Sequence, residues 1–220
     1  MGEADLASAI GRPAVAVDMA APAFVLALIR AIPPVQMVRF VSYAVTPSLS
    51  SRVSALGAAV NQDTIAHEAL VHDTAERLAY ELPSADLDEQ RIDSLAADLG
   101  PDFALALTSL VTLSDRSSGH IPMLDLKCDT SLEAQRSVVE LFRRIGSPHG
   151  ALLDSGQSYH YYGFEVVTES EWRVFLGKCL LSALLVDTRY IAHRLIDGFC
   201  SLRINATVTK PKVPTVVACW

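Results

Sequence analysis

Hydrophobic positions recur along this chain with two different periods. In the first hundred residues the longer, helical period dominates. The apolar run Ala20–Ala31, with Pro22 near its start and Pro33-Pro34 behind it, predicts a short helix. Val35–Val45 is rich in β-branched and aromatic residues and predicts a strand that stops at Thr46-Pro47-Ser48. From Ser51 to Leu82 the apolar residues Val53, Leu56, Val60, Ile65, Leu70, Ala75 and Leu78 fall at helical spacing, with a break near Asn61–Thr64. Asp86–Leu99 predicts a further amphipathic helix, closed by Gly100-Pro101. Residues 1–100 thus read as a mainly helical N-terminal region whose first 18 residues lack periodicity.

Beyond residue 100 the pattern changes. Phe103–Leu113 and Ile121–Lys127 are apolar runs flanking the polar Ser114–His120, which predicts an antiparallel hairpin. Thr130-Ser131-Leu132-Glu133 has capping-box spacing and opens a predicted helix, Ser131–Ile145, that stops at Gly146 with Pro148 behind it. Ala151–Leu153 and Tyr159–Val167 predict strands around the turn Ser155-Gly156. A second capping box, Thr168–Glu171, then starts a predicted helix through about Leu185. Ser201–Asn205 and Thr215–Ala218 predict closing strands. The order strand, strand, helix, strand, strand, helix, strands describes an α+β fold, an antiparallel sheet with helices on one face, over residues 101–220.

Composition narrows the function classes. A chain of 220 residues, half of them hydrophobic, can bury a sizeable core. Its net charge is −7, unevenly spread: residues 1–110 carry six Arg, no Lys and fourteen acids, whereas 111–220 carry twelve Lys and Arg against eleven acids. An acidic chain is a poor generic nucleic-acid binder, so phosphate contacts have to come from a local cluster in the second half, while the acidic helical region suits a protein partner. Cys128, Cys179, Cys200 and Cys219 form no CxxC pair, which argues against a zinc ribbon or disulfide framework and for a reducing compartment. No basic signal start and no span long enough for a bilayer are evident, so the expected location is cytoplasmic, without a membrane.

Few residues read as chemistry. His67–His72, HEALVH, places its second histidine five residues on instead of four, off the face that a zinc-binding HExxH pair shares. Arg39 reads as an edge-strand cation facing water. On the strand Met123–Asp129, alternation sets Asp125, Lys127 and Asp129 on one face. An acid on so apolar a strand needs a partner, either Lys127 or an arginine, or a metal ion. Ser158-Tyr159-His160 follows Ser155-Gly156, and Val186-Asp187 follows the last long helix.

That ordered set, an acidic strand at Asp125, then Ser-x-His, then an apolar residue with Asp187, resembles the archaeo-eukaryotic primase superfamily. The likeness covers about residues 103–218. It implies an RRM-like primase palm and a nucleotidyltransferase that synthesises DNA or RNA primers in replication. By position, Asp125 and Asp187 become catalytic ligands of Mg²⁺ or Mn²⁺, and Ser158 and His160 contact the nucleoside triphosphate. Arg189, Arg203 and Lys210 are candidate phosphate or template-strand cations. Single-stranded DNA or RNA is the implied template.

The sequence departs from that pattern at one place: Lys127 stands where the family has its second motif-one acid. Asp129 lies about 13 Å from Asp125 along an extended strand, too far to replace it unless the strand ends or bulges. A lysine there suits a phosphate instead, so the alternative reading is a non-catalytic nucleotide or nucleic-acid binding protein with a primase fold.

Overall fold

The computed structural model describes residues 13–32, 35–45, 47, 49–57, 60–72, 77–147 and 149–220. The expected stops at Pro33-Pro34 and Pro148 lie outside them.

Helix α1 (Ala21–Ala31) begins with proline in its first turn, as its sequence predicts. Strand β1 (Val35–Ala44) follows. Two short helices, α2 (Leu49–Ala55) and α3 (Gln62–Leu70), come next, and neither has a buried residue. Asn61 caps α3 in a reciprocal box with Thr64. The helical spacing read through Leu82 gives way to strand β2 (Arg77–Pro83), paired antiparallel with β1 from Tyr43↔Arg77 to Met37↔Pro83. The stretch RLAYELP alternates as well as it spirals, and β1 supplies a ladder that a lone helix would not have. A turn of 3₁₀ helix, Ser84–Asp86, leads into α4 (Glu89–Leu99), capped by Asp88 and ended at Gly100.

Strand β3 (Phe103–Leu113) pairs with β1 along nearly its whole length, so the first sheet joins residues on both sides of position 100. The expected hairpin forms only in part. β3 pairs with the short β4 (Ser118–His120), and the chain then leaves this sheet. Pro122 has no N–H to continue a ladder; its carbonyl accepts from Gly163 N at 2.8 Å, and β5 (Met123–Asp125) pairs in a second sheet.

Helix α5 (Leu132–Ile145) is capped by Ser131 and closed by Gly146 in the left-handed region. Strands β6 (Gly150–Asp154) and β7 (Tyr159–Gly163) form the hairpin around Ser155-Gly156. The Thr168 capping box opens α6 (Glu169–Leu180), which ends five residues before the expected Leu185. Turns over 181–185 return the chain to Val186, and a further helix, α7 (Thr188–Asp197), starts at Asp187. Strands β8 (Ser201–Arg203) and β9 (Thr215–Cys219) close different sheets, β8 on β3 and β9 on β6.

The result is α+β with two antiparallel sheets, β2-β1-β3-β4 with β8 also on β3, and β5-β7-β6-β9. One large apolar core runs through both, and Val41, Ala106 and Phe199 form a small second cluster. On one face of β7, Tyr161 stacks on Phe142 of α5 with ring centroids 3.6 Å apart; on the other, Tyr162 meets Phe24 of α1 edge-on at 5.1 Å. Helices therefore touch both faces of the second sheet. Arg39 is no edge residue: β1 lies between β2 and β3, and the guanidinium stands 5.1 Å from the Phe199 ring. Among the described residues no helix is long and apolar enough to cross a membrane.

Candidate functional site

The period of two along β5 and β7 builds the site. Asp125 lies directly opposite His160 and Met123 opposite Tyr162, so these four share the face turned away from Phe142. Asp125 Oδ1 is 3.7 Å from His160 Nε2 and accepts a long, 3.5 Å hydrogen bond from Ser158 Oγ. The 155–158 turn aims Ser158. Ser155 N and Oγ both donate to Ser158 O at 2.9 Å, and Gly156 N donates to Asp154 Oδ1 at 2.7 Å with Gly156 at φ 105°.

The third motif segment meets the first through the backbone. Leu126 bridges Val186, Lys127 N donates to Leu185 O at 2.9 Å, and Asp187 N approaches Asp125 O at 3.5 Å. Asp187 also caps α7, its Oδ1 accepting from Arg189 N at 3.0 Å and Tyr190 N at 3.1 Å.

Burial sets the charges. The Asp125 side chain is 27% exposed, but its surroundings solvate an anion poorly, and loss of water pushes its pKa up to about 6. Lys210 opposes that rise, Asp187 adds to it, and Arg203 and the Ser158 hydrogen bond oppose it. His160, 4% exposed, is held well below the ordinary histidine range by burial and then by Arg203 and Lys210, so its imidazole is neutral near pH 7. Three polar atoms next to this pair, His160 Nδ1, Tyr162 Oη and Arg203 Nε, are buried without a hydrogen-bond partner among the described residues.

The remaining sequence candidates take separate places. Lys127 is exposed just past the end of β5. Arg189 is turned to the chain after α3, its Nε donating to Ala69 O at 3.1 Å and its Nη2 to Val71 O, so its guanidinium closes the C-terminal end of that helix. Arg203 is 4% exposed; its Nη1 donates to Asn205 O and, at 2.9 Å, to Lys212 O, and its Nη2 donates to Ser155 O at 3.1 Å. Lys210 is exposed, yet its charge is felt at both Asp125 and His160.

Two tyrosines escaped the sequence reading. Tyr43, at the end of β1, and Tyr190, on the unforeseen α7, have pKa values raised by burial, with Asp125 a lesser contributor to each, and Tyr190 Oη donates to Ser201 O at 3.2 Å. For Tyr43 the only available signal was its place on the strand. For Tyr190 there was none, because the helix that carries it was missed.

Strand β5 ends at Asp125, the condition under which Asp129 could approach it; Asp129 is exposed in the following loop, its Oδ1 accepting from Ser131 N at 3.0 Å. Asp125 and Asp187 remain, one of them committed to a helix cap. Among the described residues no group of three or more His, Cys, Asp or Glu could hold a metal ion.

Comparison with known proteins adds one finding. No curated protein and no solved structure matches the chain. A family model described as AEP-like, archaeo-eukaryotic primase 1D-like, matches residues 83–215, well over half of the chain and every motif segment around Asp125. The protein accordingly belongs to the archaeo-eukaryotic primase 1D-like family.

Proposed function

We propose that this protein binds the phosphates of a nucleotide or a nucleic-acid strand at the Asp125 and His160 face of a primase-type fold, and that binding does not depend on a pair of metal ions. The observation that carries this reading is the donor balance at Asp125. One carboxyl with a raised pKa lies beside Ser158 and His160 and feels the positive charges of Lys210 and Arg203 as well as the negative charge of Asp187, with Lys127 at the sequence position of a second acid. Such a site supplies hydrogen-bond donors and positive charge, which suit phosphate oxygens better than cations. The orphaned His160 Nδ1 and Tyr162 Oη agree with it, since buried polar atoms are costly until something bonds to them.

Metal-assisted nucleotidyl transfer is the second reading, favoured by one observation: Asp125 and Asp187 come together through their backbones in the order the family motifs require. In that case the two carboxylates would hold a single Mg²⁺ or Mn²⁺, whose charge would screen the triphosphate.

Calorimetry with ATP and with a short single-stranded DNA, each with EDTA and with Mn²⁺, separates the two. Metal-independent binding, weakened at least tenfold in His160→Ala and in Lys127→Ala, is the expected result. Primer synthesis from labelled nucleotides that requires Mn²⁺ and disappears in Asp125→Ala would establish the second reading and overturn the first.

A further inference from the structure

Arg203 is a cation with no carboxylate partner among the described residues. Its guanidinium reaches three backbone carbonyls from two separate stretches of chain: Ser155 in the turn before His160, and Asn205 and Lys212 in the loop that carries Lys210. A buried arginine directed at carbonyls gains hydrogen bonds without neutralising its charge, an arrangement that needs a fixed fork of donors. The same two stretches are fastened again at the surface, where Lys212 Nζ is 2.6 Å from Asp154 Oδ2. They also touch at Gly156, where an added Cβ would lie 3.3 Å from Lys212 Cβ.

The loop also carries hydrogen bonds of its own. Thr207 N donates to Lys210 O at 2.9 Å and Lys210 N to Thr207 O at 3.2 Å, Val208 N is tied to Pro101 O at 2.9 Å, and Asn205 bonds both Leu105 N and Phe103 O. The geometry points to a clasp in which Arg203 is a positioning residue: it locks the Ser155–Ser158 turn to the 205–212 loop, so that Ser158, His160 and Lys210 stand as one preformed wall and Arg203 itself contacts no ligand. This rests on the phosphate-binding reading of the pocket for its functional consequence, while the clasp itself is a property of the free protein.

The test uses the full chain with Arg203→Lys, Lys212→Met and Lys210→Ala, sodium tripolyphosphate as a base-blind probe, and hydrogen exchange read by mass spectrometry. A lysine keeps the charge but cannot span three carbonyls. Arg203→Lys is therefore expected to speed exchange in 154–158 and 205–212 together, by tenfold or more, with the β1–β3 ladder unchanged. It should also weaken tripolyphosphate binding at least tenfold, and the loss should not add to that of Lys210→Ala. Lys212→Met, at the exposed end of the clasp, should loosen the same two segments to a smaller degree, and it keeps the idea testable if Arg203→Lys does not fold.

Exchange that quickens in only one segment, or in neither, overturns the clasp. Near-normal affinity in Arg203→Lys, or losses that simply add, would make Arg203 a direct charge contact and overturn its positioning role. If the unmutated protein binds no tripolyphosphate, the reading of the pocket falls, and the coupled exchange alone decides the clasp.

Discussion

At the scale of single residues, Asp125 carries the clearest consequence. Its carboxyl keeps a proton in the folded protein up to about pH 6, whereas the unfolded chain releases it near the ordinary aspartate value of 3.8. Stability is therefore highest below that interval and falls as pH rises through it, because the ionised form is the one the folded state disfavours. The displacement corresponds to at most about 3 kcal/mol, and an exposure of 27% brings the expected loss to about 1–2 kcal/mol. Asp125→Asn removes the charge at nearly constant shape. Its melting temperature should exceed that of the unmutated protein at pH 8, with the gap closing by pH 4. A variant that is less stable at pH 8 would mean that the carboxylate is held by favourable contacts and that burial is not the dominant influence. Both Asp125 and His160 were legible in the sequence, since each sits in a short motif on a strand of clear alternation. The role of Arg203 was not, because its partners are backbone carbonyls and no side-chain pattern announces those.

Among the elements, α7, which Asp187 caps beside the site, was invisible in the sequence. Its start follows an apolar run, Leu180–Val186, that prolongs the pattern of α6, so that the local pattern predicts one long helix ending near Leu185. The stop comes instead from turns over 181–185 and from the bridge of Val186 to Leu126, a contact between residues sixty positions apart that no local signal encodes. Strand β2 escaped for a related reason: its seven residues suit either period, and only pairing with β1 decides. Where a cap or a turn is written in side chains, as at Ser131, Thr168 and Gly146, the boundaries fell within a residue or two. Asp187 has both kinds of meaning, helix cap and motif acid, and two substitutions separate them. Asp187→Ala should cost about 1 kcal/mol, a fall in melting temperature of about 2–4 °C for a chain of this size. Asp187→Asn, which can still accept from Arg189 N and Tyr190 N, should melt close to the unmutated protein. On the phosphate-binding reading both keep metal-independent ATP affinity within about threefold of normal; a loss in Asp187→Asn of tenfold or more at unchanged stability would assign the carboxylate a direct part in binding.

At the scale of the molecule, the described residues form two antiparallel sheets joined by one large apolar core, with the site on β5 and β7 and the capped start of α7 beside it. Strand periodicity foretold an antiparallel α+β fold but not which strands pair, because a ladder is specified by partners distant in the chain. Hence β5 left its expected hairpin for the second sheet. The global field and the local one also differ in sign. A net charge of −7 repels polyanions at long range, while Arg203 and Lys210 act on Asp125 from close by. Protonation of Asp125 removes a negative charge from that neighbourhood, so acidification should favour an anionic ligand and oppose a metal cation. Between pH 8 and pH 5, tripolyphosphate affinity of the unmutated protein is expected to rise about fivefold to tenfold relative to Asp125→Asn, a ratio in which the ligand's own titration cancels. Mn²⁺ affinity, measured the same way, should move in the opposite direction. A ratio for tripolyphosphate that falls with acidification would mean that the ionised carboxylate assists binding, as it does when a metal ion bridges it to phosphate, and the pocket would then have to be read as a metal-dependent one.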